Sequence, residues 1–166
     1  MTKSALRTEL LHGADPSSVL ATVNATIQQL SDERTFVTFA YCLAERSARM
    51  IRYATAGHPP ILHVRGKHVQ PLRSVNIALG MRPATTFASG ELAYEPGDLL
   101  VLYTDGILEA RDASGAEFGA ERLAASVLAG PRDPAALCSR ILDDLGAFAR
   151  STAFQDDVSL LVVRLS

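Results

Sequence analysis

Two aspartates stand at the ends of the two most apolar runs in this sequence. The first run, Leu99-Leu100-Val101-Leu102-Tyr103-Thr104, leads into Asp105-Gly106. The second, Val158 to Leu165, is entered from Asp156-Asp157. One aspartate leaves a strand and the other enters one. If the strands pair antiparallel, both carboxylates reach the same edge of a sheet. Carboxylates gathered there repel each other unless a cation holds them. A hard divalent cation bound through oxygen is the natural partner. A metal-supported hydrolysis would need several carboxylates at that edge, with coordination positions left for water. Singly, Asp105-Gly106 also reads as a turn, and Asp156-Asp157 as an acidic strand entry. Continuous apolar strands read as buried on both faces, so their ends should open into a defined cleft.

His58 lies in Ala54-Thr55-Ala56-Gly57-His58-Pro59-Pro60, on a rigid turn after a strand. It could be a ligand, a general acid or a phosphate contact, or equally a turn residue whose ring bonds to backbone. His63 and His68 alternate with apolar residues around a hairpin and read as surface residues. His12 ends the first helical segment, where a cation is mildly favoured. Histidines so spread form no zinc signature. The sequence holds no glycine-rich phosphate loop and no nucleophile elbow. Cys42 lies mid-strand without an adjacent base, which argues against a thiol nucleophile. Leu79-Gly80-Met81 reads as a close-packing turn. Glu109, four residues after Asp105, could bond a backbone amide or join an outer metal shell.

The elements that must position these residues come in runs. Met1 to His12 reads as a helix ended by Gly13. Asp15-Pro16 gives an N-cap followed by proline at the first helical position. Val19, Leu20, Val23, Ile27 and Leu30 then follow at helical spacing. Thr35–Ala44 and Arg49–Thr55 read as a hairpin, and Ile61–Val64 and Val69–Leu72 as a second. Phe87–Tyr94 reads as a strand, and Glu95-Pro96-Gly97-Asp98 as the turn before the Leu99 strand. A short helix over Glu121–Leu128 follows. Asp133-Pro134 then starts a longer one, with Leu137, Ile141, Leu142, Leu145 and Phe148 on one face. Runs of strands with helices before and after predict an α+β fold with a mainly antiparallel sheet.

At 166 residues the chain is expected to form a single domain, 1–166. Apolar residues at 48% supply a real core, and a net charge of −2 points neither to nucleic acid nor to an anionic membrane surface. Cys42 and Cys138 sit in apolar segments and read as free thiols in a reducing compartment. No stretch approaches a membrane span, and the N-terminus lacks a signal-peptide core. The expectation is a soluble cytoplasmic protein.

Taken in order, several motifs resemble a known family. They are Phe36-Val37-Thr38, Ala56-Gly57-His58-Pro59-Pro60, Leu79-Gly80, Glu95-Pro96-Gly97-Asp98-Leu99-Leu100, Tyr103-Thr104-Asp105-Gly106-Ile107-Leu108-Glu109-Ala110, Phe118-Gly119 and Gln155-Asp156-Asp157-Val158-Ser159. They resemble the PPM-type metal-dependent protein serine/threonine phosphatases, most closely the bacterial branch named after stage II sporulation protein E. The resemblance implies an antiparallel β-sandwich flanked by helices, with a pair of manganese or magnesium ions at the sheet edge. It implies that Asp105 and Asp156 bind metal. Asp157, where relatives carry aspartate or asparagine, is a secondary metal candidate. Ser159 replaces the more usual threonine. No residue of this chain is implied as acting directly on the reacting phosphorus. The implied mechanism is attack on phosphoserine or phosphothreonine by metal-activated water. The implied substrate is a phosphoprotein of anti-anti-sigma type in a partner-switching pathway, and relatives often form homodimers. Family members begin with further strands and an aspartate-x-x-glycine-histidine-glycine motif whose aspartate bridges both metals. Here Met1 falls inside the helix that should follow, so the expectation is a C-terminal portion lacking the N-terminal strands. The alternative is a non-catalytic regulatory binding module derived from the same fold.

Overall fold

The computed structural model describes residues 15–30, 35–150 and 156–166. The expected helix over Met1–His12, with His12 and Gly13, lies outside the described residues, as does Gln155. The chain forms two compact units, Met1–Pro60 with Leu72–Tyr94, and Ile61–Pro71 with Glu95–Ser166.

In the first unit, α1 spans Pro16–Leu30. Asp15 starts it, its carboxylate accepting from the Ser17 N–H at 3.0 Å, with Pro16 pre-set for the first turn. Strands β1 (Phe39–Glu45), β2 (Met50–Ala56) and β5 (Gly90–Ala93) form an antiparallel sheet in the order β1-β2-β5. The first hairpin is in register from Phe39 opposite Ala56 to Glu45 opposite Met50. Val19, Leu20 and Val23, spaced for one helical face, are buried with Ala54, Ala56, Leu79 and Phe87. Buried Asn24 ties α1 to the turn at Gly80, accepting from the Gly80 N–H at 2.8 Å and donating to the Arg82 carbonyl at 3.0 Å. Gly80 must be glycine: its φ is +86°, and a Cβ would lie 2.5 Å from the Thr35 carbonyl oxygen. The strand expected over Phe87–Tyr94 is shorter, because the Asn76 side chain takes both the N–H and the C=O of Ala88, at 2.8 and 2.9 Å. Those groups are lost to a ladder, which begins only at Gly90.

In the second unit, β3 (Ile61–Arg65), β4 (His68–Leu72), β6 (Leu99–Tyr103) and β7 (Leu160–Arg164) form a sheet in the order β4-β3-β6-β7. β6 runs antiparallel to both β3 and β7. Among the described residues, β6 is followed by the single turn α2 (Asp105–Leu108), then α3 (Gly119–Ala129) and α4 (Pro134–Ala149). Asp133 caps α4, accepting from the Ala136 N–H at 2.9 Å, with Pro134 at its start. Leu137, Ile141 and Leu145 then bury one face against Leu123 and Val127 of α3 and against Val101, Tyr103 and Val162 of the sheet.

Two expectations are corrected here. His63 is not a surface residue: it is 4% exposed, and its Nε2 lies 2.8 Å from Oδ2 of Asp98, itself 4% exposed. Arg65 donates to the same carboxylate oxygen from Nε at 3.0 Å and Nη2 at 2.7 Å, and the Glu95 N–H adds a bond of 2.9 Å. A buried carboxylate is tolerable only with such partners, and the histidine is drawn inside by one. Nor is the last strand buried on both faces. β6 is buried along almost its whole length, but β7 lies at the sheet's edge, and Leu161 and Val163 remain 54% and 38% exposed. Among the described residues, no helix is long and apolar enough to cross a membrane.

Candidate functional site

The strand pair β6–β7 delivers both aspartate motifs to one end of the second unit's sheet. Its ladder runs from Leu99 opposite Arg164 to Tyr103 opposite Leu160. Thr104 continues it by one further step. Its N–H donates to the Ser159 carbonyl at 3.1 Å, and its Oγ1 accepts from the Ser159 N–H at 2.9 Å. The same hydroxyl donates to the Asp157 carbonyl at 2.9 Å. One threonine therefore fixes the chain on both sides of Val158.

Asp105 opens α2, where the Glu109 N–H donates to the Asp105 carbonyl at 2.9 Å. Oδ1 of Asp105 accepts from the Gly106 N–H at 3.1 Å. Gly106 is buried against the opposite motif: a Cβ there would lie 2.6 Å from the Asp157 carbonyl oxygen and 3.4 Å from that of Asp156. Only glycine allows this approach of two backbones. Oδ1 of Asp156 accepts from the Asp157 N–H at 2.7 Å. Asp105, Asp156 and Asp157 are all exposed to solvent.

A cleft of about 110 Å³ opens here, lined by Gly106, Glu109, Ala110, Arg111 and Asp156. The structure thus brings Asp156 together with the turn that follows Asp105. The Asp105 side chain is not among the residues lining the cleft, and Asp157 meets the neighbouring turn through its carbonyl. Glu109, read from sequence as either a backbone partner or an outer-shell group, lines the cleft. Arg111 was not singled out by sequence reasoning. The available signal was a basic residue two positions beyond Glu109, on the same acidic turn.

The other sequence candidates lie elsewhere. His58 belongs to the first unit, where its Nδ1 lies 2.9 Å from the Pro59 carbonyl, the turn-residue reading. Cys42 is a free thiol whose pKa burial pushes up to about 12, far from a nucleophile's range.

The donor chemistry at the β6–β7 end suits a hard divalent cation, since carboxylate oxygens face water there. Among the described residues the donors are fewer than such an ion takes. Among the described residues, no group of three or more histidine, cysteine, aspartate and glutamate side chains is gathered for a metal ion. Asp105 and Asp156 alone do not complete a two-ion centre.

Comparison with known proteins places the chain in a family. The chain is 30% identical over 105 residues to phosphoserine phosphatase RsbU of Bacillus subtilis, a match covering 62% of this chain and 31% of that protein. It spans about a fifth to a third of the length of the curated relatives it matches. Among solved structures, it resembles the PP2C phosphatase domain of SpoIIE from Bacillus subtilis, with a TM-score of 0.84 and 20% identity, over 99% of this chain and 48% of that one. The same domain presoaked with manganese also matches, with a TM-score of 0.71 and 20% identity, over 99% and 71% of the two chains. The RsbU and RsbW domains of Rv1364c from Mycobacterium tuberculosis match with a TM-score of 0.75 and 30% identity, over 98% of this chain and 46% of that one. The α+β fold, with two antiparallel sheets and flanking helices, is that of these phosphatase domains. The family model for stage II sporulation protein E (SpoIIE) matches residues 1–166, and the chain belongs to that family of PP2C-type phosphatase domains.

Proposed function

We propose that residues 1–166 act within one metal-dependent protein serine/threonine phosphatase domain that hydrolyses phosphoserine or phosphothreonine on a regulatory protein. The observation that carries this reading is the packing of Gly106 on the Asp156–Asp157 backbone, which sets the two aspartate motifs side by side at an open cleft. Asp105 and Asp156 would hold manganese or magnesium, with Asp157 as a secondary ligand. A bound divalent cation supplies acidified water and neutralises phosphate charge. The chain's own residues set the frame. The Thr104 hydroxyl holds the Asp157 carbonyl and the Ser159 N–H, so the chain carrying Asp156 and Asp157 enters β7 in a fixed direction. The first turn of α2 fixes the backbone from which Asp105 projects.

The likeness to phosphoserine phosphatase RsbU supports a phosphoprotein substrate. An RsbU domain joined to an RsbW domain in the mycobacterial relative supports a regulatory partner, of the anti-anti-sigma type that partner switching would use. The manganese-presoaked SpoIIE domain supports the metal. The proposed setting is the cytoplasm, with homodimer formation in solution.

The test adds manganese and an artificial phosphoester to the purified chain. Asp105→Ala and Asp156→Ala should each lower turnover about a hundredfold or more, as loss of a metal ligand does. Equal rates in all three proteins would overturn the reading. A second reading, a non-catalytic binding module, is favoured by the small number of ligands gathered among the described residues. It predicts no turnover, and partner binding that survives loss of both aspartates.

A further inference from the structure

The cleft beside Asp156 has a charge pattern that the two aspartates do not explain. Two of its lining residues, Glu109 and Asp156, are carboxylates, and Arg111 is the cation among the described lining residues. An oxyanion entering between carboxylates is repelled unless a cation faces it. The volume of about 110 Å³ has room for several waters, and so for a group of phosphate size, but not for a folded peptide.

The base of Arg111 is rigid. Its backbone bridges antiparallel to Glu117, closing a small loop. Inside the loop the Asp112 carboxylate accepts from the Ser114 and Ala116 N–H groups at 2.8 and 3.0 Å. The guanidinium end is held differently. Nη2 donates to Oε1 of Glu117 at 2.7 Å, and both side chains are half exposed. An ion pair so exposed contributes little and exchanges readily. A phosphate monoester offers a stronger acceptor, with two oxygens matched to the guanidinium fork.

We propose that Arg111 is a substrate-contact residue. It turns its guanidinium from Glu117 to the non-bridging oxygens of a phosphate monoester seated in the cleft. Glu117 is then the resting partner that keeps the arginine extended and in place. This inference rests on the phosphatase reading and adds to it the group that grips the phosphate.

The test follows the Arg111 side-chain Nε–H signal by nuclear magnetic resonance while inorganic phosphate is added to the full chain in magnesium buffer. A phosphoserine peptide and its unphosphorylated form are titrated in parallel arms. The Arg111 signal should move with phosphate and phosphopeptide, and stay still with the unphosphorylated peptide. Arg111→Lys and Arg111→Ala should weaken phosphate binding about tenfold, the size of a lost charge-assisted pair. Glu117→Gln should tighten it a few-fold by freeing the fork. The lysine variant keeps the charge and the bridge, so it reports the fork even if the alanine variant disturbs the loop. An unmoved Arg111 signal, or equal phosphate affinity in wild type and Arg111→Lys, overturns the proposal. Failure of the phosphatase reading is read separately, from phosphoester turnover in Asp105→Ala and Asp156→Ala.

Discussion

Thr104 and Ser159 are joined by reciprocal hydrogen bonds, 3.1 Å from the Thr104 N–H and 2.9 Å to the Thr104 hydroxyl. The same hydroxyl reaches the Asp157 carbonyl, so a single oxygen sets the entry of β7. Thr104→Val keeps the branched shape but removes that oxygen. It should cost about 1 kcal/mol in stability, because the orphaned groups lie where water can reach them. Amide exchange at Ser159 should quicken, while exchange at Val101 and Val162 stays slow. Unchanged protection at Ser159 would show that the hydroxyl does not hold the segment.

Gly106→Ala should be more damaging than its size suggests. The added methyl would meet the Asp157 carbonyl oxygen at 2.6 Å, and the obstacle is backbone that cannot swing aside. Overpacking of this kind costs about 1–3 kcal/mol. A urea-denaturation midpoint measures that loss. Phosphoester turnover should fall further than stability does, since the strain lands on the segment carrying Asp156.

Asp98 gives the second unit a pH dependence. Burial pushes its pKa up, but hydrogen bonds from Arg65, the Glu95 N–H and His63 outweigh burial and hold it below the ordinary carboxylate value. The unfolded chain therefore binds this proton more readily than the folded one. Asp98 contributes its stability above about pH 4 and loses it as pH falls through its lower folded value. Asp98→Asn should cost about 3 kcal/mol at neutral pH by removing the buried carboxylate that Arg65, His63 and the Glu95 N–H share, although Arg65 keeps its ion pair with Glu95 at 3.2 Å. It should also flatten the acid limb of stability against pH, measured by denaturant titration at several pH values. An acid limb identical to wild type would remove Asp98 from this role.

Cys42 should resist thiol reagents. With its pKa pushed up to about 12, almost none of it is thiolate at mildly alkaline pH. Native protein should therefore label there at least about a hundredfold more slowly than denatured protein, by peptide mapping after timed alkylation. Fast labelling of Cys42 in the native state would contradict the burial.

Much of this architecture was legible because local signals agreed. Asp15-Pro16 and Asp133-Pro134 each combine a cap with a preset dihedral, and α1 and α4 begin where those pairs stand. The two apolar runs flanked by aspartate would bring both carboxylates to one sheet edge if they paired antiparallel, and β6 and β7 do pair in that way. What local pattern cannot carry is position within a sheet. The run over β7 looks as buried as β6, yet one is an edge strand and the other central. His63 meets the same limit. Its alternation with apolar residues fits a surface position, and its partner Asp98 lies 35 residues away, brought near only by the β3–β6 pairing. Arg111 escaped notice because its significance depends on a cleft that closes only when Asp156 arrives from the other end of the chain.

The strand between the two aspartate motifs and the Asp98 cluster behaves like a beam clamped at each tip. At one tip, the Asp98 carbonyl accepts from the Leu165 N–H and the Gly97 N–H donates to the Leu165 carbonyl, each beside the buried ionic cluster. At the other, Thr104 grips Ser159. Sliding β6 against β7 by one residue would unfasten both tips at once and turn Val101 and Tyr103 outward. Small adjustments for an incoming guest are thus confined to torsions of individual side chains, above a floor whose alignment is already decided.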